Sequence, residues 1–200
     1  MHCRPACRLS STTFWKTGIR VHDIDSRRAP AVGARPALHA EDDIAWQHRA
    51  TQGAATLTAN PLGAAARTAF YLARGFTEST IRPYAQSCGF SFGLRNHGTT
   101  SLATRLTEWH AVGADGRKIA LRLPEAWDAQ WERTGVPQAA RIAFRWAQFQ
   151  TENIFEPGDW IMGMATLETP PPAPFRLIAR YHDNKGAHEV VLDKLECAHD

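Results

Sequence analysis

A change in hydrophobic periodicity near residue 80 is the feature that most constrains the fold of this chain. In the segment FSFGL, Phe90, Phe92 and Leu94 alternate with smaller residues, which is the period-two pattern of a β-strand. Comparable runs follow in TRLTEWHAV, RKIALRL, ARIAFRWAQF, DWIMGMATL, FRLIARYHD and HEVVLDKLEC. Turn signals such as GADG, EPGD and NKG separate several of them. We therefore predict a mainly β fold, an antiparallel β-sandwich of about seven strands over residues 80–200.

The region before residue 80 has a different pattern, which favours one or two short helices over residues 44–79. In NPLGAAARTAFYLARGF, Asn60 suits a helix cap, Pro61 suits the first helical position, and Gly75 suits a stop. Residues 44–59 are ambiguous: Glu41, Asp42 and Asp43 precede Ile44, as at a helix start, but Gly53 weakens a helix there. Residues 1–43 mix Pro, Gly, Ala and charges without a sustained period, which is typical of a flexible arm.

The positive charge of the chain is concentrated in this arm. The formal net charge is +3, but residues 1–35 hold seven Lys or Arg against two Asp, a balance of +5. A basic arm can contact nucleic acid or an anionic membrane. No basic patch interleaved with aromatic residues follows it, so nucleic-acid binding is not favoured. We also find no apolar run long enough for a transmembrane helix and no secretory signal.

The four cysteines are Cys3, Cys7, Cys88 and Cys197. Without a secretory signal, the simplest interpretation is a cytoplasmic protein whose thiols stay reduced. Cys88 is then expected to be a small buried hydrophobic residue. Whether Cys88 and Cys197 meet depends on which strands the fold brings together.

The segment RNHGTT contains a histidine that invites a catalytic interpretation, but its neighbours favour a bend between two strands. Asn96 bonds readily to nearby backbone, and Gly98 adopts positive φ without steric cost. His97 is therefore predicted to be an exposed turn residue. A catalytic histidine needs an orienting partner, and no Ser-His-Asp arrangement is evident nearby.

Three segments resemble immunoglobulin-like β-sandwich domains of uncharacterised bacterial proteins. They are FGLRNHGTTSLATRLTEW, FEPGDWIMGM and FRLIARYHDNKGAHEVVL, within residues 85–197. The matching turn residues are Asn96, Gly98, Pro157, Gly158, Tyr181, Asp183 and Gly186. The resemblance implies a sandwich fold and no catalytic residues.

Several other polar clusters are candidate sites. His182, Asp183 and His188 flank the NKG turn, where the two histidines could face each other as metal ligands, but no zinc-binding spacing accompanies them. Cys197 and His199 near the chain end, and HCRPAC at residues 2–7, complete the possible ligands. Glu152, Glu156 and Asp159 bracket a turn and are candidates for the carboxylate pair of a glycoside hydrolase. The sequence has no phosphate-binding loop motif. We therefore predict no catalytic residue, no cofactor and no metal.

The tryptophans offer another kind of site. Trp127, Trp131, Trp146 and Trp160 are candidates for a carbohydrate-binding platform. Trp127 and Trp131 stand four residues apart on a predicted helical turn and so share a face that packs on a sheet edge or meets a partner. Trp146 lies on a predicted strand and is expected in the core between two sheets.

These observations favour a non-enzymatic accessory or protein-interaction module whose partner is another protein. An uncovered edge strand or an exposed apolar patch would support it. One alternative is a small hydrolase or toxin-like enzyme, which requires a concave pocket with converging histidine and acidic side chains. The other is a carbohydrate-binding module, which requires two or more coplanar exposed Trp rings.

Overall fold

The structure is a computed structural model that describes residues 46–198, so the predicted arm at residues 1–43 lies outside it. The described region contains ten strands and four α-helices. The strands are β1 His48–Gln52, β2 Ala55–Pro61, β3 Gly89–Asn96, β4 Leu102–Arg105, β5 His110–Val112, β6 Lys118–Arg122, β7 Glu152–Phe155, β8 Trp160–Leu167, β9 Phe175–Asp183 and β10 Gly186–Leu195. The helices are α1 Ala64–Leu72, α2 Glu78–Ala85, α3 Pro124–Arg133 and α4 Gln138–Ala147.

All ten strands belong to one antiparallel sheet. Its order is β1-β2-β3-β8-β6-β5-β9-β4-β7, and β10 pairs with β9 outside this path. Side chains from both ends of the order, such as Leu57, Phe92, Leu177 and Leu192, meet in one buried cluster. The two halves of the sheet therefore share an inner core.

The four helices form a second core on the other face of β8. Phe90, Ala165 and Leu167 of β3 and β8 belong to the inner core, whereas Met164 packs against the helical cluster. This division follows from strand geometry, because successive side chains point to opposite faces. The indole Nε1 of Trp127 on α3 donates to the Thr166 hydroxyl at 2.9 Å, which fixes that helix to β8.

The helices come as two hairpins, α1–α2 and α3–α4, with matching residue spacing. A buried aromatic residue, Tyr71 or Trp131, stands four positions before Gly75 or Gly135. Both glycines have positive φ, 88° and 74°, as a helix end in the left-handed conformation requires. The α1–α2 hairpin lies between β2 and β3, and the α3–α4 hairpin lies between β6 and β7.

The helix predictions need correction in three places. Residues 48–61 form the β1–β2 hairpin, so Asn60 and Pro61 end a strand and Gly63 caps α1. The segment ARIAFRWAQF is helix α4, and the predicted short turn at 124–136 is the full helix α3. The predicted boundary between a helical segment at 44–79 and a sandwich at 80–200 therefore does not separate helices from strands. The immunoglobulin-like family stays a prediction.

Most other strand and turn predictions are confirmed, although the described region has ten strands rather than about seven and Gly98 does not have positive φ. RNHGTT lies between the end of β3 and the start of β4, and His97 is exposed. Gly116, Gly158 and Gly186 all have positive φ in the predicted turns. Leu106 and Trp109 in the predicted strand TRLTEWHAV are buried, although a 3₁₀ turn at Leu106–Glu108 interrupts the strand there.

The prediction of free thiols is wrong for one pair. Cys88, one residue before β3, forms a disulfide with Cys197, two residues after β10. Cys88 is buried in the inner core, as predicted, but its sulfur is bonded to that of Cys197 rather than free. No helix in the described residues is long and apolar enough to span a membrane.

Candidate functional site

Exposed apolar side chains gather beside strand β7, around two adjoining hollows. One hollow, of about 550 Å³, is lined by Ile142, Arg145, Trp146, Gln150, Asn153 and Ile161. The other, of about 600 Å³, is lined by Ala103, Thr104, Arg105, Glu152, Asn153, Ile154 and His182. Asn153 lines both hollows, so they adjoin. We call the group Ile142, Arg145, Trp146, Asn153, Ile154 and Ile161 the edge surface.

The edge surface exposes more apolar area than isolated surface residues would. Trp146 is 84% exposed, Ile154 75% and Ile142 38%. A single exposed apolar side chain is ordinary on a protein surface, whereas several grouped around a hollow typically mark a binding site. Aromatic and arginine residues are also the types enriched at protein interfaces.

Helix α4 presents its part of this surface because its two faces differ. Ala140 and Phe144 are four residues apart and point into the helical core. Ile142 and Trp146 have the same spacing on another face, and both are exposed. After the helix, the Gln150 side chain donates to the backbone carbonyl of Arg145 at 3.0 Å, which holds the following segment against the helix end.

Strand β7 leaves one edge uncovered. It pairs with β4 on one side and stands at the end of the strand order. The Leu106 amide donates to the Thr151 carbonyl at 2.8 Å, which sets the hydrogen-bonding register between the two segments. Because bonding positions alternate in an antiparallel pair, the backbone groups of Glu152 and Ile154 point away from β4. These groups are open to another strand.

The histidines named from the sequence lie in three different surroundings. His97 is exposed in the β3–β4 loop. His182 contacts the Glu108 carboxylate at 2.6 Å, and His188 contacts that of Asp183 at 2.9 Å.

The prediction that His182 and His188 could face each other is wrong. In the β9–β10 register, His182 lies opposite Ala187 and His188 lies opposite Tyr181, so the two rings point to opposite faces of the hairpin. Among residues 46–198, no three His, Cys, Asp or Glu side chains gather as metal ligands would.

The carboxylates named from the sequence have separate local partners. Glu152 faces Arg105 at 3.4 Å, and Glu156 accepts from the Ser101 hydroxyl at 2.7 Å. Asp159 accepts from the Glu156 amide at 2.9 Å and so closes the β7–β8 turn. Their contacts are those of surface ion pairs and turn caps.

Asp183 accepts two local hydrogen bonds. The Lys185 amide donates to it at 2.7 Å, and the His188 ring contacts it as described above. These two contacts, the amide first, hold the pKa of the Asp183 carboxyl below its usual range. The carboxylate therefore stays ionised and keeps the His188 ring in one orientation.

The tryptophans correct two predictions. Trp127 and Trp131 share a face, as predicted, and stack at 5.7 Å, but both are buried in the helical core. These two rings therefore cannot form an exposed carbohydrate platform. Trp146, expected in the core, is instead exposed. The helical spacing of Ala140, Phe144 and Ala147 in the sequence is the signal that predicts a solvent-exposed Trp146.

Comparison with known proteins gives no relative to guide the choice between functions. No protein-family model, no curated protein and no solved structure matches the chain.

Proposed function

We propose that this protein is a protein-interaction module that binds an extended segment of a partner protein along strand β7. The uncovered edge of β7 carries the proposal, because backbone groups at a free edge can pair with an added strand. The exposed side chains of Ile154 and Trp146 beside that edge supply apolar contacts for alternate residues of the added segment.

The chemistry of the edge surface describes the segment that would fit. Ile142, Trp146, Ile154 and Ile161 favour a partner with apolar side chains at alternate positions. Arg145 lines the same hollow and makes no ion pair among the described residues. An acidic residue in the partner segment would therefore complement it. Arginine and tryptophan side chains that become buried on binding are frequent hot spots of binding energy.

The disulfide bears on where such an interaction would take place. Structural disulfides persist in oxidising compartments and are rare in the reducing cytoplasm. The bond between Cys88 and Cys197 therefore favours an oxidising compartment over the cytoplasm that the sequence predicts. The partner is then expected in the same compartment.

The proposal is tested by affinity capture with matched surface variants. Tagged wild-type protein, Trp146→Ala and Leu72→Ala are incubated with native extract, and bound proteins are quantified by mass spectrometry. Leu72 is the control because it is also an exposed apolar residue, 44% exposed, but lies on α1 outside the edge surface.

We expect a stoichiometric partner that wild type and Leu72→Ala retain equally and that Trp146→Ala loses by roughly tenfold or more. Because Trp146 is exposed, its replacement should leave the thermal midpoint unchanged, and circular dichroism checks this. Equal capture by Trp146→Ala and wild type, or no stoichiometric protein on wild type, would contradict the proposal.

A further inference from the structure

Three hairpin loops meet in a polar pocket that shares no residue with the edge surface. The pocket has a volume of about 510 Å³. It is formed by the β1–β2 turn, the β3–β4 loop and the β9–β10 turn. The side chains that matter for its chemistry are His97, Thr99, Thr100, Asp183, Lys185 and His188. We call it the hairpin pocket.

The β3–β4 wall of the pocket is held in place by a buried asparagine. Asn96 is fully buried, and its side-chain amide donates to the Thr100 and Phe155 carbonyls at 2.9 and 3.0 Å. Its side-chain oxygen accepts from the Gly98 amide at 2.8 Å. The loop therefore keeps one conformation without help from a ligand.

The other walls are fixed to this loop and to each other. The His97 amide donates to the Ala54 carbonyl at 2.7 Å, which joins the β3–β4 loop to the β1–β2 turn. The Tyr181 hydroxyl donates to the Gln52 carbonyl at 2.8 Å, which joins β9 to the same turn. A Cβ on Gly53 would lie only 2.6 Å from that hydroxyl, so the close approach requires glycine.

The pocket offers hydrogen-bond donors and positive charge, and its one acid is already occupied. Asp183 is engaged by the Lys185 amide and by the His188 ring. Lys185 and His97 bring further donors, and the hydroxyls of Thr99 and Thr100 add two more. Asp183 keeps its negative charge, but Lys185 and, when they are protonated, His97 and His188 outnumber it, and the lining then complements an anion.

His188 is oriented so that one ring nitrogen is left for a ligand. A carboxylate only accepts hydrogen bonds, so Nε2 of His188, which contacts Asp183, carries the hydrogen. The ring also stacks on Tyr181 with centroids 5.1 Å apart, which fixes its plane. When the ring is protonated, Nδ1 becomes a second donor whose direction these two contacts have already set.

We propose that the hairpin pocket is a binding site for a small anion that carries a carboxylate or phosphate group. Lys185 and protonated His188 supply the charge, and His97, Thr99 and Thr100 supply further donors. Charge-assisted hydrogen bonds of this kind are stronger than neutral ones, and a preformed pocket avoids the cost of ordering its loops.

The site is tested by titrating the protein with inorganic phosphate and, separately, with acetate. Histidine ring resonances are followed by NMR, and chloride keeps the ionic strength constant. The variants are Lys185→Ala and His188→Gln. Lys118→Ala is the control, because Lys118 is an exposed lysine on β6 that does not line the pocket.

We expect saturable shifts of the His97 and His188 resonances in wild type and Lys118→Ala, and roughly tenfold weaker binding of the same anion in Lys185→Ala and His188→Gln. Saturation by phosphate alone identifies a phosphate site, and saturation by acetate alone identifies a carboxylate site. Shifts that grow linearly with both anions would overturn the proposal. Equal saturation in wild type and Lys185→Ala would overturn it as well.

Discussion

The two hydrophobic cores of this protein are built from different side chains and depend on different supports. Of the described residues, six of the nine buried in the helical core are aromatic, against seven of 23 in the inner core. The inner core lies between two halves of a sheet and is closed by a disulfide. The helical core has no covalent support and fills its space with large rings.

The aromatic composition of the helical core makes it depend on buried hydrogen bonds. The Gln148 side chain donates to the Tyr71 hydroxyl at 2.6 Å and accepts from that of Tyr84 at 3.2 Å. The indole of Trp131 donates to the Thr80 carbonyl at 3.1 Å. Tyrosine and tryptophan bury much apolar area, but each also brings a polar group that needs a partner. Large rings thus fill the space between the short helices and the sheet. Each buried O–H or N–H that they bring requires a hydrogen-bond partner.

Opening the disulfide is expected to have the largest effect on stability, and it acts on the inner core. Its cysteines are 109 residues apart, so the double variant Cys88→Ala, Cys197→Ala should lower the free energy of unfolding by about 4–5 kcal/mol. Urea unfolding measures this difference. Reduction of wild type with dithiothreitol should give the same midpoint as the variant, which should not respond to the reductant. Equal unfolding midpoints for oxidised and reduced wild type would show that the disulfide does not stabilise the inner core.

Alkaline pH is expected to act mainly on the helical core. Burial raises the pKa values of Tyr71 and Tyr84, so both phenols stay protonated in the folded state above pH 10 while the unfolded chain loses these protons. Stability is therefore unaffected below about pH 10 and falls above it, by about 1.4 kcal/mol per pH unit for each tyrosine.

Absorbance at 295 nm against pH provides the measurement, because the chain has only three tyrosines. Burial also raises the pKa of Tyr181, which lies in the inner core, above its usual value. Tyr71→Phe should reduce the slope of stability with pH. Phenolate absorbance equivalent to more than one tyrosine that rises near pH 10 in a still-folded protein would show that the helical core is open to water, because only one tyrosine lies outside that core.

The hydrogen bonds of Gln148 should give the smallest of these effects. Gln148→Leu removes the hydrogen-bond partner that the Tyr71 and Tyr84 hydroxyls share and leaves Tyr71 the weak acceptor Met164 Sδ at 3.5 Å, so it should cost about 1–3 kcal/mol in the free energy of unfolding. The triple variant that also carries Tyr71→Phe and Tyr84→Phe should recover most of this loss, because no unpaired polar group then remains. Denaturant unfolding distinguishes the two. A triple variant no more stable than the single one would show that packing around Gln148, rather than its hydrogen bonds, sets the cost.

The inner core was largely predictable from the sequence, because period-two alternation is a local signal. Phe90, Phe92 and Leu94 behave as their pattern indicates, and so do the turns closed by Gly116 and Gly186. The pairing of Cys88 with Cys197 was not predictable, because it depends on how distant strands meet. The hairpin β1–β2 was missed because Gly53 was interpreted as a weak point in a helix rather than as a turn.

The helical core and the edge surface were less predictable for a different reason. In α4, Ile142, Phe144 and Trp146 are spaced by two, which imitates a strand, although Ala140 and Phe144 also have helical spacing. The strand interpretation placed Trp146 in the core, whereas the helix leaves it exposed. Interpreting the spacing in α4 as that of a strand therefore gives the wrong burial for Trp146, the most exposed aromatic residue in the described part of the chain.

The measurement that tests the proposed function most directly compares Ile154→Pro with Ile154→Val. Proline removes the amide that points from the free edge of β7, and edge strands tolerate it there. Valine keeps both the amide and the apolar side chain. We predict that Ile154→Pro loses the captured partner by roughly tenfold or more, while Ile154→Val retains it and both variants keep the thermal midpoint of wild type. Equal retention of the partner by both variants would contradict strand addition at β7.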